Sequence, residues 1–306
     1  MKFIAYWNGN IPPVTKLFFS SFLATQSGEL ELYVENCDNL NTLEYYLKSQ
    51  RVKVQKISFK ALCSNTVFER FDLDQQANSF DRFVVKAYKE YFHIISKVRQ
   101  SSFQHKASKR LPYLKHPLMG MTQTGKSVVD LPLYGSIREK YDLTYKADIF
   151  RCLMCVLMKE SFVYVDLDIC FLKDFLDLYN LGDFVYEWEY QSFANNAIIF
   201  SSENGILKKN MTALIEKYDN ARPWYIFSRE EPLIDGLNIL PCEFFDPLWK
   251  QENANFNQFF EDNSITNILS NAYAYHWHNH WKTLPKEDSC YSHLLNKFEA
   301  YLGTLP

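Results

Sequence analysis

Over its first sixty residues the chain switches repeatedly between two hydrophobic periods, and that alternation restricts it to few architectures. KFIAYW (2–7) reads as a strand and VTKLFFSSFLATQ (14–26) as a helix entered just after Pro12 and Pro13. LELYVEN (30–36) reads as a strand, NLNTLEYYLKSQ (39–50) as a helix, VKVQKISF (52–59) as a strand and FDRFVVKAYKEYFHIISKVRQ (80–100) as a longer helix. Strands alternating with helices predict an α/β fold, a Rossmann-like, mostly parallel central sheet with helices on both faces. With 306 residues and 47% hydrophobic content, such a sheet can be covered by a large core.

Residues 97–144 break the rhythm with Pro112, Pro117, Pro132 and three glycines, and read as an insertion in a single domain spanning 1–306. From Tyr91 to Val129 there is no acid, while Lys97, Arg99, Lys106, Lys109, Arg110, Lys115 and Lys126 are all basic, against a net charge of −3 for the whole chain. That run is a solvated loop, an acceptor-binding lid or a peripheral contact with an anionic membrane, where each basic residue contributes about 1 kcal/mol. The overall negative charge and the lack of any recognition motif argue against nucleic acid. No apolar run approaches the ~18–20 residues that span a bilayer. Seven scattered cysteines read as reduced thiols, and with no signal-like start the expected location is cytoplasmic. Cys152 and Cys155 form a C-x2-C without a second pair, which reads as buried packing.

Order returns at LTYKADIFRCLMCVLMKE (143–160), where Ile149, Phe150, Leu153, Met154 and Leu157 form a helical stripe and Asp148 and Arg151 lie off it. The strand FVYVD (162–166) follows, and the chain continues LDICF, placing Asp166 and Asp168 at a strand's carboxyl end. Ligands of open parallel sheets bind at that edge. Two carboxylates there suit Mg2+ or Mn2+, which complete their shells with water and substrate phosphates and neutralise a departing diphosphate. The plain alternative is a turn cap beside a solvated acid, which leaves the mutual repulsion of the two carboxylates unexplained. Farther on, after DFVYEWEY (183–190), NAIIFSS (196–202) reads as a strand and GILKKNMTALIEKY (205–218) as a helix. In YHWHNHWK (275–282) three histidines alternate, as if on one face of a strand.

The stretch YKADIFRCLMCVLMKESFVYVDLDICFLKDF (145–175) resembles the core of Asp-x-Asp glycosyltransferases of GT-A fold, and most closely glycosyltransferase family 32. The matching residues are Lys146, Ala147, Asp148, Arg151, Asp166 and Asp168; IAYWNGNIPP resembles the family's first strand and loop, and NNAIIFSS its Asn-Asn-Ala strand. The chain departs from the pattern at ESFVY, where relatives carry Gly-Gly before the Tyr, and in the insertion before Lys146.

The resemblance implies a metal-dependent transferase that moves a sugar from a nucleotide-sugar, a UDP-sugar favoured over a GDP-sugar, to a glycan or lipid-linked acceptor. Retention of anomeric configuration and a place in capsule or lipooligosaccharide synthesis come with it. It implies that Asp148 bonds sugar hydroxyls, that Arg151 holds a phosphate or orients Asp148, and that Asp166 contacts ribose and metal while Asp168 is the main ligand. Tyr6 and Trp7 would stack on the base, or else pack in the core; Lys146 lies at the same nucleotide-binding helix. Asn195 and Asn196 would bond donor or acceptor hydroxyls, or shape a turn. His276 or His278 would close the metal shell, Trp281 and Lys282 would cover the diphosphate, and Glu187 or Glu189 would orient the acceptor. Two other readings remain: a catalytically silent sugar-nucleotide scaffold, and a haloacid-dehalogenase-type phosphatase. The phosphatase motif carries Thr or Val two residues after its second Asp, where this chain has Cys170.

Overall fold

The computed structural model of the protein describes residues 1–71, 143–188, 191–218, 221–249 and 255–304. The chain divides into two compact units, one made of 1–69 and 147–306, the other of Arg70–Lys146. In the second, the Phe71 ring meets Tyr145 edge-on. The helix expected at 80–100 and nearly all of the insertion, with its basic run, lie outside the described residues.

The strands, in chain order, are β1 (Lys2–Asn8), β2 (Glu29–Glu35), β3 (Val52–Lys56), β4 (Phe162–Val165), β5 (Ile169–Phe171), β6 (Phe184–Tyr186), β7 (Asn195–Ser201), β8 (Asn238–Leu240) and β9 (Ala274–His276). Seven form one sheet in the order β3-β2-β1-β4-β7-β6-β8, all parallel except β7, which runs against both neighbours. The long helices are α1 (Lys16–Thr25), α2 (Leu143–Leu157), α3 (Ile206–Tyr218) and α4 (Cys290–Leu302). The helix expected at 39–50 is only a 3-10 turn, Leu40–Leu43, followed by one α turn, Glu44–Leu47. Its two central tyrosines differ: Tyr46 is buried and stacks on Phe19, while Tyr45 stays exposed.

β4 sits at the centre between β1 and β7 with all four residues buried, as a strand covered on both faces requires. It does not continue past Val165. The Asp166 N–H still bonds Ala197 O of β7 (2.9 Å), but by Ile169 the chain has left the sheet to pair antiparallel with β9 in a separate ribbon. α1 closes the ribbon's other edge: Ser21 Oγ accepts from the Phe171 N–H (3.0 Å), and Gln26 bonds both Lys173 O and the Phe175 N–H. Buried polar side chains on this Phe-rich helix thus supply partners that an edge strand would otherwise take from water. Phe18 and Phe22 pack on Phe171 from the same helix, and α4 lies against α1, with Tyr291 donating to Val14 O.

Candidate active site

The Asp-x-Asp turn lies where the sheet hands over to the ribbon. Asp166 Oδ1 accepts from the Tyr164 hydroxyl (2.6 Å) and from Arg151 Nη2 (3.0 Å), which also reaches Oδ2 at 3.3 Å. Burial raises the Asp166 carboxyl to about 6; Arg151 opposes this and the like charge of Asp168 adds to it. Asp168 is more deeply buried. Its carbonyl accepts from the Trp277 N–H (3.0 Å), and its Oδ2 accepts from the Asn279 N–H (2.8 Å) with His276 Nε2 at 3.3 Å. Burial pushes this carboxyl upward, but His276 and the Asn279 N–H outweigh it and keep Asp168 below the usual range.

His276, the last residue of β9, stands opposite Ile169, so the ribbon's register carries it beside Asp168. Its Nδ1 shares a 2.8 Å hydrogen bond with the Tyr186 hydroxyl at the end of β6. Burial lowers its pKa, yet Asp168 more than compensates and the net shift is upward.

The strand ends there, so the expected alternation of three histidines along one face does not occur. His278 and Asn279 both take left-handed backbone (φ 52° and 61°), and this turn lays the His278 ring 3.9 Å from that of His276. The same turn aims the Asn279 N–H at Asp168. His280 is not part of the cluster; it packs on Phe260 and bonds Thr283. Trp277, on the opposite side of the strand, is fully buried in the core.

A residue that the sequence did not single out completes the cluster. Asp246 is wholly buried, and its Oδ2 lies 2.5 Å from His278 Nε2. In FFDPLW it sits among aromatic residues whose spacing suggests core, and the one signal was an acid inside so apolar a run. Trp249 and Phe256 pack on the His278 ring, and Trp188 lies parallel to it.

On α2 the charged residues are not on a solvated face. Asp148 and Arg151 are both buried, and Leu157, assigned to the apolar stripe, is partly exposed at the helix end. Arg151 lies over the Tyr164 ring, donates to Asn196 O (2.8 Å) and Oδ1 (2.5 Å), and grips Asp166. Its charge is therefore spent inside the protein, on Asp166 and β7, with Asp148 at 3.8 Å. Asp148 also faces Arg222 Nη1 (3.6 Å) and Asn196 Nδ2 (3.4 Å).

The other expected residues divide clearly. Tyr6 faces inward, stacked on Phe150 with its hydroxyl donating to Glu35 (3.2 Å), so the core takes the ring face expected to receive a base. Trp7, on the other side of β1, meets Trp281 edge-on at 4.7 Å. Trp281 Nε1 donates to Asn279 Oδ1, tying this pair to the turn that contacts Asp168, and Lys282 beside it is exposed. The buried Asn195 side chain accepts from the Ala197 N–H, a local backbone bond, whereas Asn196 joins the Arg151 network. Glu187, at the end of β6, pairs with Arg229. Lys146 falls in the smaller unit and Glu189 outside the described residues.

Among the described residues, two groups each bring three ligand atoms within 4.8 Å of one another: Asp166, Asp168 and His276; and Asp246, His276 and His278. The first fits a divalent cation on a specific count. Asp168 Oδ1 is buried with no hydrogen-bond partner among the described residues, a costly state for an ionised oxygen unless a cation faces it. All seven cysteines are buried, and C-x2-C joins no such group among the described residues.

No family of sequences matches the chain, and no curated protein matches it. Solved structures do, distantly. The galactosyltransferase LgtC, in complex with donor and acceptor sugar analogues, is similar at 11% identity over 100% of this chain and 98% of that one, with a TM-score of 0.43. Mouse xyloside xylosyltransferase 1 is similar at 9% identity over 92% and 100%, with a TM-score of 0.42. The bifunctional glycosyltransferase WbbM is similar at 9% identity over 98% and 49%, with a TM-score of 0.49. Likeness this distant assigns no activity.

Proposed function

We propose that the chain is a metal-dependent glycosyltransferase of GT-A type, transferring a sugar from a nucleotide-sugar, a UDP-sugar favoured, to a glycan or lipid-linked acceptor with retention of configuration. The observation that carries this is the bare, buried Oδ1 of Asp168 beside Asp166 and His276, at the carboxyl end of the sheet's central strand.

Asp166, Asp168 and His276 would hold Mn2+ or Mg2+, whose charge neutralises a diphosphate leaving group. Around them the side chains have separable tasks. Arg151 and Tyr164 fix the orientation of Asp166, so its carboxylate does not have to be ordered when donor binds. Tyr186 fixes His276 through Nδ1 and leaves Nε2 toward Asp168. Asp148 and Asn196 form the polar wall suited to sugar hydroxyls, with Arg151 orienting both rather than touching phosphate. Trp281 and Lys282, next to the Asn279 turn, are the groups to lie along the diphosphate, and Trp7 is the better base-stacking partner of the first strand. Glu187 remains the choice for orienting an acceptor hydroxyl, although Arg229 must share it. The phosphatase reading needs a free nucleophilic carboxylate at Asp166, and Arg151 and Tyr164 already occupy that group. Peripheral membrane contact through the basic run is part of the proposal; no helix among the described residues is long and apolar enough to cross a membrane.

The test is nucleotide release from a panel of UDP- and GDP-sugars, with Mn2+ and with a chelator, and no acceptor. Release from one donor that stops with chelator and with Asp168→Asn supports the reading. If no donor is hydrolysed and none shifts the melting temperature, the transferase reading fails, and phosphomonoester hydrolysis and glycan binding are the assays to run next.

A further inference from the structure

Of the second ligand group, Asp246, His276 and His278, the function proposed above uses His276 alone, yet the group carries the same physical mark as the first. Asp246 is fully buried, and its Oδ1 has no hydrogen-bond partner among the described residues. Its Oδ2 has one side-chain partner there, His278. Trp249 and Phe256 pack on the His278 ring and Trp188 lies parallel to it, so the pair is enclosed by aromatic side chains. His276 is common to two groups that together hold three carboxylates (Asp166, Asp168, Asp246), and the one permanent protein cation bonded to any of them among the described residues is Arg151, on Asp166. Asp246 has no lysine or arginine partner among the described residues, and Arg151 is engaged by Asp166.

We propose that Asp246, His276 and His278 form a second cation site, selective for borderline ions of the Zn2+ and Co2+ kind, that shares His276 with the carboxylate site. The donor sets differ in chemistry. Two carboxylates and one imidazole suit Mn2+ or Mg2+, whereas two imidazoles and one carboxylate, with room left for water, make a zinc-type set. The residues converge from separate parts of the fold: Asp246 follows the 3-10 turn Cys242–Phe244, His276 ends β9, and His278 arrives through its left-handed turn. A cation between His278 Nε2 and Asp246 replaces their hydrogen bond and gives the carboxylate the countercharge it lacks. Tyr186 occupies Nδ1 of His276, leaving Nε2 as the nitrogen available to either site. The two cations therefore compete for one ligand, and zinc at the second site disables the first. The inference does not depend on sugar transfer, and no part of its test reads nucleotide release.

The experiment uses the full chain stripped with chelator. Co2+ is titrated and followed by visible absorption, Zn2+ affinity is measured against a chromophoric chelator, and Mn2+ binding is measured by electron paramagnetic resonance. The wild type is expected to give the intense visible band of four- or five-coordinate Co2+ at one equivalent, and Zn2+ is expected to expel bound Mn2+. Asp166→Asn should keep the Co2+ band while losing Mn2+. Asp246→Asn and His278→Gln should lose the band and weaken Zn2+ at least about tenfold, with Mn2+ affinity within about threefold of wild type. A weak six-coordinate band in the wild type overturns the proposal without any variant. So does loss of the band in Asp166→Asn, which would place both ions in the one carboxylate site.

Discussion

Replacing Arg151 with Met tests whether the guanidinium organises the site or merely fills space. The side chain is buried and bonds Asp166 twice, Asn196 twice and the Tyr164 ring face. Met preserves much of the volume, so the loss is electrostatic: Asp166 keeps Tyr164 as its one strong partner and becomes a largely buried charge without a counterion. Removing one member of a buried pair costs about 3–5 kcal/mol. For a chain of this size, at about 2 °C per kcal/mol, the midpoint should fall by roughly 6–10 °C. The loss should also depend on pH in a stated direction. With Arg151 present the Asp166 pKa in the fold is about 6, above the 3.8 of a free carboxyl, so the fold binds this proton more tightly than the unfolded chain. The corresponding stability is complete below about pH 4, is lost as pH rises through 6, and is absent above it. Without Arg151 that pKa climbs further and the window extends upward, so the variant's deficit should be small at pH 5 and large at pH 8. Adding Asp166→Asn to Arg151→Met should restore much of the midpoint at pH 8. A deficit below about 1 kcal/mol, or one equal at both pH values, would refute the assignment of Arg151 as the counterion that makes a buried Asp166 tolerable.

Asp168→Asn should leave the fold intact, since an amide oxygen still accepts from the Asn279 N–H, and should weaken Mn2+ binding at least about tenfold by titration calorimetry. Mn2+ affinity should fall below pH 6, approaching tenfold per pH unit as a proton competes for Asp166; a flat affinity between pH 7.5 and 5 would remove Asp166 from the ligand set. Gly28→Ala should destabilise the chain by about 1–3 kcal/mol in urea, because the added methyl would stand 2.3 Å from Met1 O and 2.9 Å from the Phe3 ring, where β1 and β2 begin together.

The sequence displayed the sheet more readily than the site. Hydrophobic periodicity marked β1, β2, β4, β7, α2 and α3 because each buries enough apolar surface to need a regular pattern. It ended β4 within a residue of Val165 but gave no sign of the ribbon beyond, since the three residues Ile169–Phe171 that pair with β9 are too few to carry a period of their own. It set Arg151 off the apolar stripe and no more, because helical spacing alone cannot show that Tyr164, Asp166 and Asn196 converge on that face from two neighbouring strands. Asp246 was illegible for a related reason: its partner His278 is 32 residues away, and the left-handed turn that brings the ring across is encoded by no glycine. Tyr6 and Trp7 show what adjacency conceals, as alternation along β1 sends one ring to Phe150 and the other to Trp281.

The two aspartates of the turn are anchored to different bodies. The Asp166 amide is fastened to β7 in the large sheet, while the Asp168 carbonyl is fastened to Trp277 next to β9, with only the core-packed Leu167 between them. His276 travels with Asp168, on the ribbon. Sliding the ribbon against the sheet thus moves two donor groups together past a stationary third, and the opening between them widens or narrows about a single residue, Leu167. α1 steadies that ribbon through Ser21 and Gln26, so substitutions at these two positions on a distant helix should reset the spacing of the donor groups while leaving every one of them in place.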